Sequence, residues 1–170
     1  MVLADTIRTF LDRHRVLTLA TVDDGGPWAT PLFYASDDAL ALYFLSDPGT
    51  RHCRAIAQNP RVSAAIHGDP GAWTEIMGVQ LDGWAAVVEG SEEWAHATRC
   101  YAAKFPFALA LIPPDGPYRF YRLRPRWLRL IDNSRGLGFK EELLLMAGTG
   151  NPGEAHGSQI PLEKEKALAC

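Results

Sequence analysis

Apolar and polar residues alternate along short segments in the first part of the chain, and turn-forming residues separate these segments. Residues 16–22 alternate with a period of two and are rich in β-branched side chains, which predicts a half-buried strand. The Asp-Asp-Gly-Gly run at 23–26 predicts a hairpin turn, and further strands are expected at 28–34 and 39–46. Three strands joined by tight turns predict an antiparallel meander.

The rest of the chain mixes helical and strand patterns. We expect helices to begin near Asp5 or Thr6 and at Ser91, because short polar side chains cap the first turn of a helix. Gly83 predicts a bulge or bend within its strand. The remaining elements are helices at 51–58 and 91–104, a helical turn at 107–111, and strands at 62–66, 79–89 and 118–131. Six strands and three helices predict a mostly β protein, a six-stranded antiparallel barrel with peripheral helices.

A change of composition near residue 148 divides the chain. From there Gly, Pro, Ser and charged residues dominate, which predicts a flexible C-terminal tail over 148–170. Residues 1–147 are expected to form one domain. The whole chain has 170 residues, of which 47% are hydrophobic and 22% charged, and this is enough for a single hydrophobic core.

Charge and cysteine usage narrow the classes of function. The net charge is −3, whereas nucleic-acid binders usually carry a basic excess, so no nucleic-acid partner is expected. No apolar run reaches the roughly 18 residues that a membrane span needs, and no signal peptide is recognisable. Cys53, Cys100 and Cys170 are too widely spaced for a disulfide framework or a CxxC site, so we expect a cytoplasmic protein. The five histidines show no metal-ligand spacing, and no metal is predicted.

The stretch with most chemical content lies where the third predicted strand ends and the next helix begins. Thr50, Arg51 and His52 follow a Gly turn and offer a hydroxyl, a guanidinium and an imidazole at a helix start. Backbone N–H groups and the helix dipole favour an anion at such a place, so the layout predicts a phosphate site. By spacing alone, an ordinary capped helix with a solvated Arg51 is the favoured interpretation.

A resemblance changes that balance. The run Thr50-Arg51-His52, followed by a short helix that ends in Asn59-Pro60-Arg61-Val62, is similar to the FMN-phosphate region of pyridoxamine 5′-phosphate oxidase-like proteins. The preceding hairpin and the stretch from Gly78 to Gly83 match as well. The segment Arg-Trp-Leu-Arg-Leu-Ile-Asp-Asn-Ser at 126–134, with Gly-Phe-Lys at 138–140, resembles a less characterised branch of the same superfamily. The resemblance covers roughly residues 4–145.

The resemblance implies a Greek-key split β-barrel that binds FMN, works as a homodimer with the flavin at the dimer interface, and oxidises or reduces a small molecule. It also implies the residues that contact the cofactor. These are Thr30, Pro31, Leu32, Phe33, Leu45, Ser46, Thr50, Arg51, His52, Gly78, Gln80, Asn133 and Lys140. Flavin chemistry needs little from side chains, so no catalytic acid or base is assigned.

This chain departs from the true oxidase at two places that concern the substrate. The oxidase has basic residues where this chain has Thr30 and Ala35, and its substrate-phosphate cluster near the C-terminus is missing here, which argues against a vitamin B6 phosphate substrate. Two other functions stay open. One is a split barrel that holds flavin or haem without turnover, with His67 as the candidate iron ligand. The other is a deazaflavin-dependent reductase of the same architecture.

Overall fold

The computed structural model describes residues 2–108 and 116–145. Within them lie three α-helices and seven β-strands, together with two short 3-10 turns at Trp73–Glu75 and Asn133–Arg135. The helices and strands, in chain order, are α1 (Leu3–Arg13), β1 (Val16–Asp23), β2 (Gly26–Ser36), β3 (Leu42–Ser46), α2 (Arg51–Gln58), β4 (Arg61–His67), β5 (Met77–Val87), α3 (Ser91–Lys104), β6 (Arg119–Asp132) and β7 (Lys140–Leu144).

All strands join one antiparallel sheet in the order β3-β2-β1-β4-β5-β6-β7, and an additional pairing between β3 and β6 closes a ring. Strands β1 to β3 form the predicted meander, and β4 returns to pair with the other side of β1, which is a Greek key. The predicted antiparallel split barrel is therefore confirmed, but the number of strands is wrong. The seventh strand, β7, pairs with the second half of β6. Its sequence begins Lys-Glu-Glu, and these residue types are depleted in strands, so the sequence pattern does not predict this strand.

The predicted bend at Gly83 is present as a shift of register between β5 and β6. A Cβ atom at Gly83 would lie 2.1 Å from the carbonyl oxygen of Arg124, so only glycine fits where the two backbones approach. Pro125 lies opposite Gly83 within β6. Proline has no N–H to donate, and the irregular pairing at this point lets the long strand continue through it.

Two groups of buried residues fill the fold. Ile7, Phe10 and Leu11 of α1 pack into the main core inside the ring, as their helical spacing predicts. Helix α2 packs against β1 and β5 and buries His52, Cys53, Ala55 and Ile56. Helix α3 covers the outer side of β2 and β3 with a second cluster. The packing of α2 on β1 places the start of α2 beside the turn of the β1–β2 hairpin.

Some predictions fall outside the described residues. The tail at 148–170 lies beyond them, and the helical turn at 107–111 extends into the range that the structure does not describe. Within the described part of the chain, no helix has the length and apolar character needed to cross a bilayer.

Candidate functional site

Strand β2 has an open edge over most of its length. It pairs with β1 from Gly26 to Phe33, but with β3 only from Tyr34 to Ser36. Along the first of these stretches no described strand covers the second edge of β2. Trp28 and Phe33 are 42% and 51% exposed there. Unpaired backbone groups beside exposed aromatic rings form a surface that suits a flat, polar-edged molecule.

The first residue of α2, Arg51, lies at the hairpin end of this edge. Its Nε donates to Oδ2 of Asp23 and its Nη2 donates to Oδ1, both at 2.8 Å, and its guanidinium lies 4.4 Å from the centre of the Trp28 ring. The hydrogen bonds from Arg51 lower the pKa of Asp23 to about 2, and Asp23 in turn raises the pKa of Arg51. The outer Nη1–Nη2 edge of Arg51 makes no hydrogen bond to any described residue, so its N–H groups remain for an anion.

His52 points into the protein rather than toward that anion position. Its side chain is buried, with Nε2 2.8 Å from Oγ of Ser46 and 3.2 Å from Oγ1 of Thr50. Thr50 also donates from Oγ1 to the carbonyl oxygen of Asp47. The structure thus brings Ser46, Thr50 and His52 together. The polar atoms of these three side chains contact one another. Among the described residues, Arg51 is the member of the Thr-Arg-His run whose side chain has unpaired donors at the surface.

A thiol that the sequence did not single out belongs to the same cluster. Burial opposes ionisation of Cys53, but hydrogen bonds from His52, Ser46, Thr50 and Tyr121 outweigh it and lower the pKa of the thiol to about 7. Burial, with the hydrogen bond to Cys53 as a second cause, raises the pKa of Tyr121. Cys53 is 2% exposed, so external reagents do not reach it. The cluster therefore consists of buried polar side chains that hydrogen-bond to one another beneath the start of α2.

Thr30 carries a hydroxyl without a partner. Its Oγ1 is buried and makes no hydrogen bond to the described residues, and the same holds for Oγ1 of Thr21. Thr30 is paired with Leu19 and Thr21 with Trp28, so all four side chains lie on the same face of the β1–β2 hairpin. Thr30 as a whole is only half-buried, so rotation of its side chain would present this hydroxyl to a phosphate oxygen, two residues from the ring that holds Arg51. The residues present are compatible with the phosphate of FMN.

The other predicted residues of β2 and β3 divide between two faces. Leu32 is half-buried against the main core, whereas Pro31 and Phe33 point to the opposite, exposed side. Phe33 meets Phe105 edge to face at 5.3 Å between ring centres. Leu45 packs against the second core cluster under α3. Only part of the predicted β2 stretch therefore faces the side on which Arg51 lies.

Gly78 and Gln80 lie away from Arg51 within one copy of the chain. Gln80 is opposite Ala65, Ala65 is opposite Thr18, and Thr18 is opposite Pro31, so the two predicted contact regions on β5 and β2 are three strand spacings apart. At about 4.8 Å per spacing this is about 14 Å. A single chain therefore does not bring the β5 residues to the open edge of β2.

The last two predicted residues have different surroundings. Asn133 is buried, donates from Nδ2 to the carbonyl oxygen of Trp73, and accepts at Oδ1 from the N–H of Gly138. Its amide is occupied in holding the turn between β6 and β7. Lys140 is exposed at the start of β7. Among the described residues no group of three His, Cys, Asp or Glu side chains could hold a metal ion.

Comparison with known proteins places these features in context. The family model described as pyridoxamine 5′-phosphate oxidase matches residues 3–132. A UPF0306 protein of Enterobacter sp. (strain 638) is 35% identical over 135 residues, which is 79% of this chain and 91% of that protein. The fold also superposes on a heme-binding protein from Mycobacterium smegmatis, with a TM-score of 0.71 and 25% identity over 85% of this chain. This chain covers only 58% of the length of that protein. HutZ, the heme storage protein from Vibrio cholerae, has a TM-score of 0.63 and 25% identity over 74% of this chain and 91% of its own.

Proposed function

This protein belongs to the pyridoxamine 5′-phosphate oxidase family, and we propose that it binds FMN and acts as a flavin-dependent oxidoreductase on a small molecule. The observation that carries the proposal is Arg51, held by Asp23 and Trp28 beside the open edge of β2 with its outer N–H groups free. A phosphate binds at such an edge, and the adjoining strand then lies within reach of a ring attached to that phosphate.

The chain's own residues would divide the work of holding the cofactor. Arg51 would donate to the phosphate, and the unpartnered hydroxyl of Thr30 would donate to one of its oxygens. The backbone of β2 between Gly26 and Phe33 would meet the polar edge of the ring, and Trp28 would exclude water from it. When bound, FMN supplies the hydride- or electron-accepting chemistry, which needs no catalytic side chain from the protein.

A second copy of the chain would complete the site. Arg51 and Thr30 lie near the β1–β2 hairpin, whereas the exposed Gln80 and the buried Gly78 lie on β5, about 14 Å from β2 by strand spacing. A homodimer in which β5 of one copy faces β2 of the other would bring the two sets together. The exposed Trp84 and Phe33 at 43% and 51% supply apolar surface for that contact.

The substrate differs from that of the true oxidase in this proposal. Position 30 is a threonine, and Ala35, the other position where the oxidase has a basic residue, is 1% exposed under α3. Neither supplies a positive charge to a second phosphate. We therefore propose a substrate without a phosphate group. A cytoplasmic location is part of the proposal, supported by Cys53 and Cys100, which are free thiols.

The experiment is a visible absorption spectrum of the purified protein before and after addition of FMN and dialysis. We expect a flavin spectrum near one equivalent per chain. Arg51→Ala should lose most of it, and Arg8→Ala, which removes an arginine paired with Asp5 on α1, should retain it. Equal retention by both variants, or none by the wild type, would remove the basis of the proposal. Reduction by a nicotinamide donor and repeated reoxidation by an added acceptor tests turnover, and competition with deazaflavin tests the choice of cofactor.

Mixing two variants tests the shared site. Arg51→Ala damages one contact set, and Gln80→Trp blocks the other at an exposed position of β5. If each site takes one set from each copy, a mixed dimer has one intact site. Random mixing of the two variants should then restore about a quarter of wild-type FMN retention, although neither variant retains FMN alone. Absence of any recovery, with mixed dimers shown by mass spectrometry, would contradict a shared site.

A haem-binding function is the second candidate, and His67 is the observation that favours it. Its Nδ1 lies 2.7 Å from the carbonyl oxygen of Gly68, and the imidazole is exposed at the end of β4. A donated hydrogen bond from Nδ1 leaves Nε2 free for iron, which is how histidine ligands are commonly oriented. A Soret band that appears with added haem and is lost in His67→Ala, but not in His14→Ala, would favour this function over FMN binding.

A further inference from the structure

The turn between β1 and β2 is built around the guanidinium of Arg51. Asp23 accepts two hydrogen bonds from Arg51, and its Oδ1 also accepts from the N–H of Gly25 at 2.8 Å. A Cβ atom at Gly25 would lie 2.8 Å from Nη2 of Arg51 and 3.1 Å from Oδ1 of Asp23. A side chain at position 25 would therefore displace the end of Arg51, so the turn and the first residue of α2 pack directly against each other.

The contacts leave Arg51 one way to bind an anion. Asp23 occupies the side that carries Nε, Trp28 covers one face of the guanidinium, and Gly25 approaches Nη2. The guanidinium is planar, and its donors form a fixed fork. The outer Nη1–Nη2 edge is therefore the side from which an incoming oxyanion receives parallel hydrogen bonds. An unheld arginine side chain would have to lose its rotamer freedom on binding.

We propose that Asp23 and Gly25 are positioning residues for phosphate recognition. They hold the outer edge of Arg51 toward the phosphate of FMN, so that the site selects FMN over riboflavin. The inference rests on the proposed function, because it assigns the phosphate of that cofactor to Arg51. Neither Asp23 nor Gly25 contacts the ligand; both act through Arg51.

If charge alone decided phosphate binding, removal of the Asp23 carboxylate would strengthen that binding. A carboxylate beside Arg51 reduces the positive potential that an anion meets, so its removal would strengthen phosphate binding if potential were decisive. The side chains of Arg51 and Asp23 are 32% and 20% exposed. Water screens charges at such positions, whereas the geometry of a bidentate donor is fixed by its neighbours. Positioning is therefore expected to outweigh the loss of net positive charge.

The test compares the affinities of FMN and riboflavin, measured by quenching of flavin fluorescence. Asp23→Ala should weaken FMN binding about 3- to 10-fold, the cost of ordering one long side chain, and change riboflavin binding less than about twofold. Asp5→Ala breaks an ion pair on α1 and should change neither. Circular dichroism and thermal unfolding establish that each variant is folded.

Gly25→Ala separates geometry from charge, because both members of the ion pair remain. Its backbone has no left-handed φ that would exclude alanine, and the methyl group displaces Nη2 of Arg51. It should therefore lower the FMN-to-riboflavin preference in the same direction as Asp23→Ala. Tighter FMN binding in Asp23→Ala, or an unchanged preference in Gly25→Ala, overturns the positioning role. Failure of the wild type to bind FMN overturns the proposed function instead, so the two failures are distinguishable.

Discussion

Replacement of Thr30 by valine should change stability and FMN binding in opposite directions. Oγ1 of Thr30 is buried and has no hydrogen-bond partner among the described residues, although water solvates it in the unfolded chain. A buried hydroxyl without a partner costs about 1–3 kcal/mol. Valine has nearly the same shape and at least the same preference for a strand, so the substitution removes this cost without leaving a cavity. We expect the ligand-free protein to gain about 1–2 kcal/mol.

The assay is thermal and urea unfolding of the ligand-free protein, followed by FMN titration of the same samples. A gain of that size in a chain of 170 residues raises Tm by about 3–6 °C. If the hydroxyl donates to the phosphate of FMN, its loss should weaken FMN binding about 10-fold or more, since hydrogen bonds to charged groups contribute about 1.5–3 kcal/mol. Riboflavin binding should not change.

Thr21→Val is the matched control. Its hydroxyl is also buried without a partner among the described residues, but Thr21 is 1% exposed as a whole, so rotation of its side chain does not bring the hydroxyl to a ligand, whereas Thr30 is half-buried. It should gain stability and leave FMN affinity unchanged. A Thr30→Val protein that is no more stable than the wild type would refute the reasoning, because Oγ1 would then have a partner in solution. Stabilisation without loss of FMN affinity would remove Thr30 from the phosphate site.

Three further substitutions test the fold around the site. Gly83→Ala should cost at least about 3 kcal/mol in urea unfolding, because its Cβ would lie 2.1 Å from the Arg124 carbonyl oxygen; a cost below about 1 kcal/mol would contradict the close approach of the two backbones. Burial lowers the pKa of Lys104 from 10.5 to about 8 in the folded protein, so the unfolded chain binds more protons between these values. Wild-type stability should therefore rise from pH 8 to pH 10.5 relative to Lys104→Met, and a constant difference would be inconsistent with this shift. Asn133→Ala should lower the free energy of unfolding by about 1–3 kcal/mol, since two backbone groups lose their hydrogen-bond partner. Unchanged stability would show that the Asn133 amide is not needed for the turn and is free to bind a cofactor.

Local patterns were enough to predict most of the fold. Alternation over 16–22 and the Asp-Asp-Gly-Gly turn specify the first hairpin, because period and turn chemistry are local properties. Gly83 indicated the bulge for the same reason, as a strand glycine often marks the close approach of another backbone. Strand β7 could not be found in this way. Its pairing with β6 depends on a partner distant in sequence, and its own Lys-Glu-Glu start resembles a loop.

The sequence predicts which residues meet at the site but not how their side chains are oriented. Thr50, Arg51 and His52 do meet at the start of α2, yet a sequence pattern cannot state that His52 turns inward to Ser46 or that Arg51 is already paired. Asp23 lies 28 positions before Arg51, and the sequence pattern predicts only a turn residue there. A carboxylate in a hairpin turn has no sequence signal that distinguishes an ion-pair partner from a solvated one. Such pairings are set by the packing of α2 on β1.

The Arg51–Asp23 pair carries no net positive charge, and this bears on how it would hold FMN. Asp23 neutralises Arg51, His52 is buried against neutral hydroxyls, and Thr30 and Ala35 are uncharged. Affinity must then come from hydrogen-bond geometry and from apolar contact with the ring, which salt screens weakly. On the proposed arrangement, part of that contact belongs to the second copy of the chain. Dilution that separates the copies should therefore release FMN, whereas added salt at a fixed protein concentration should release little.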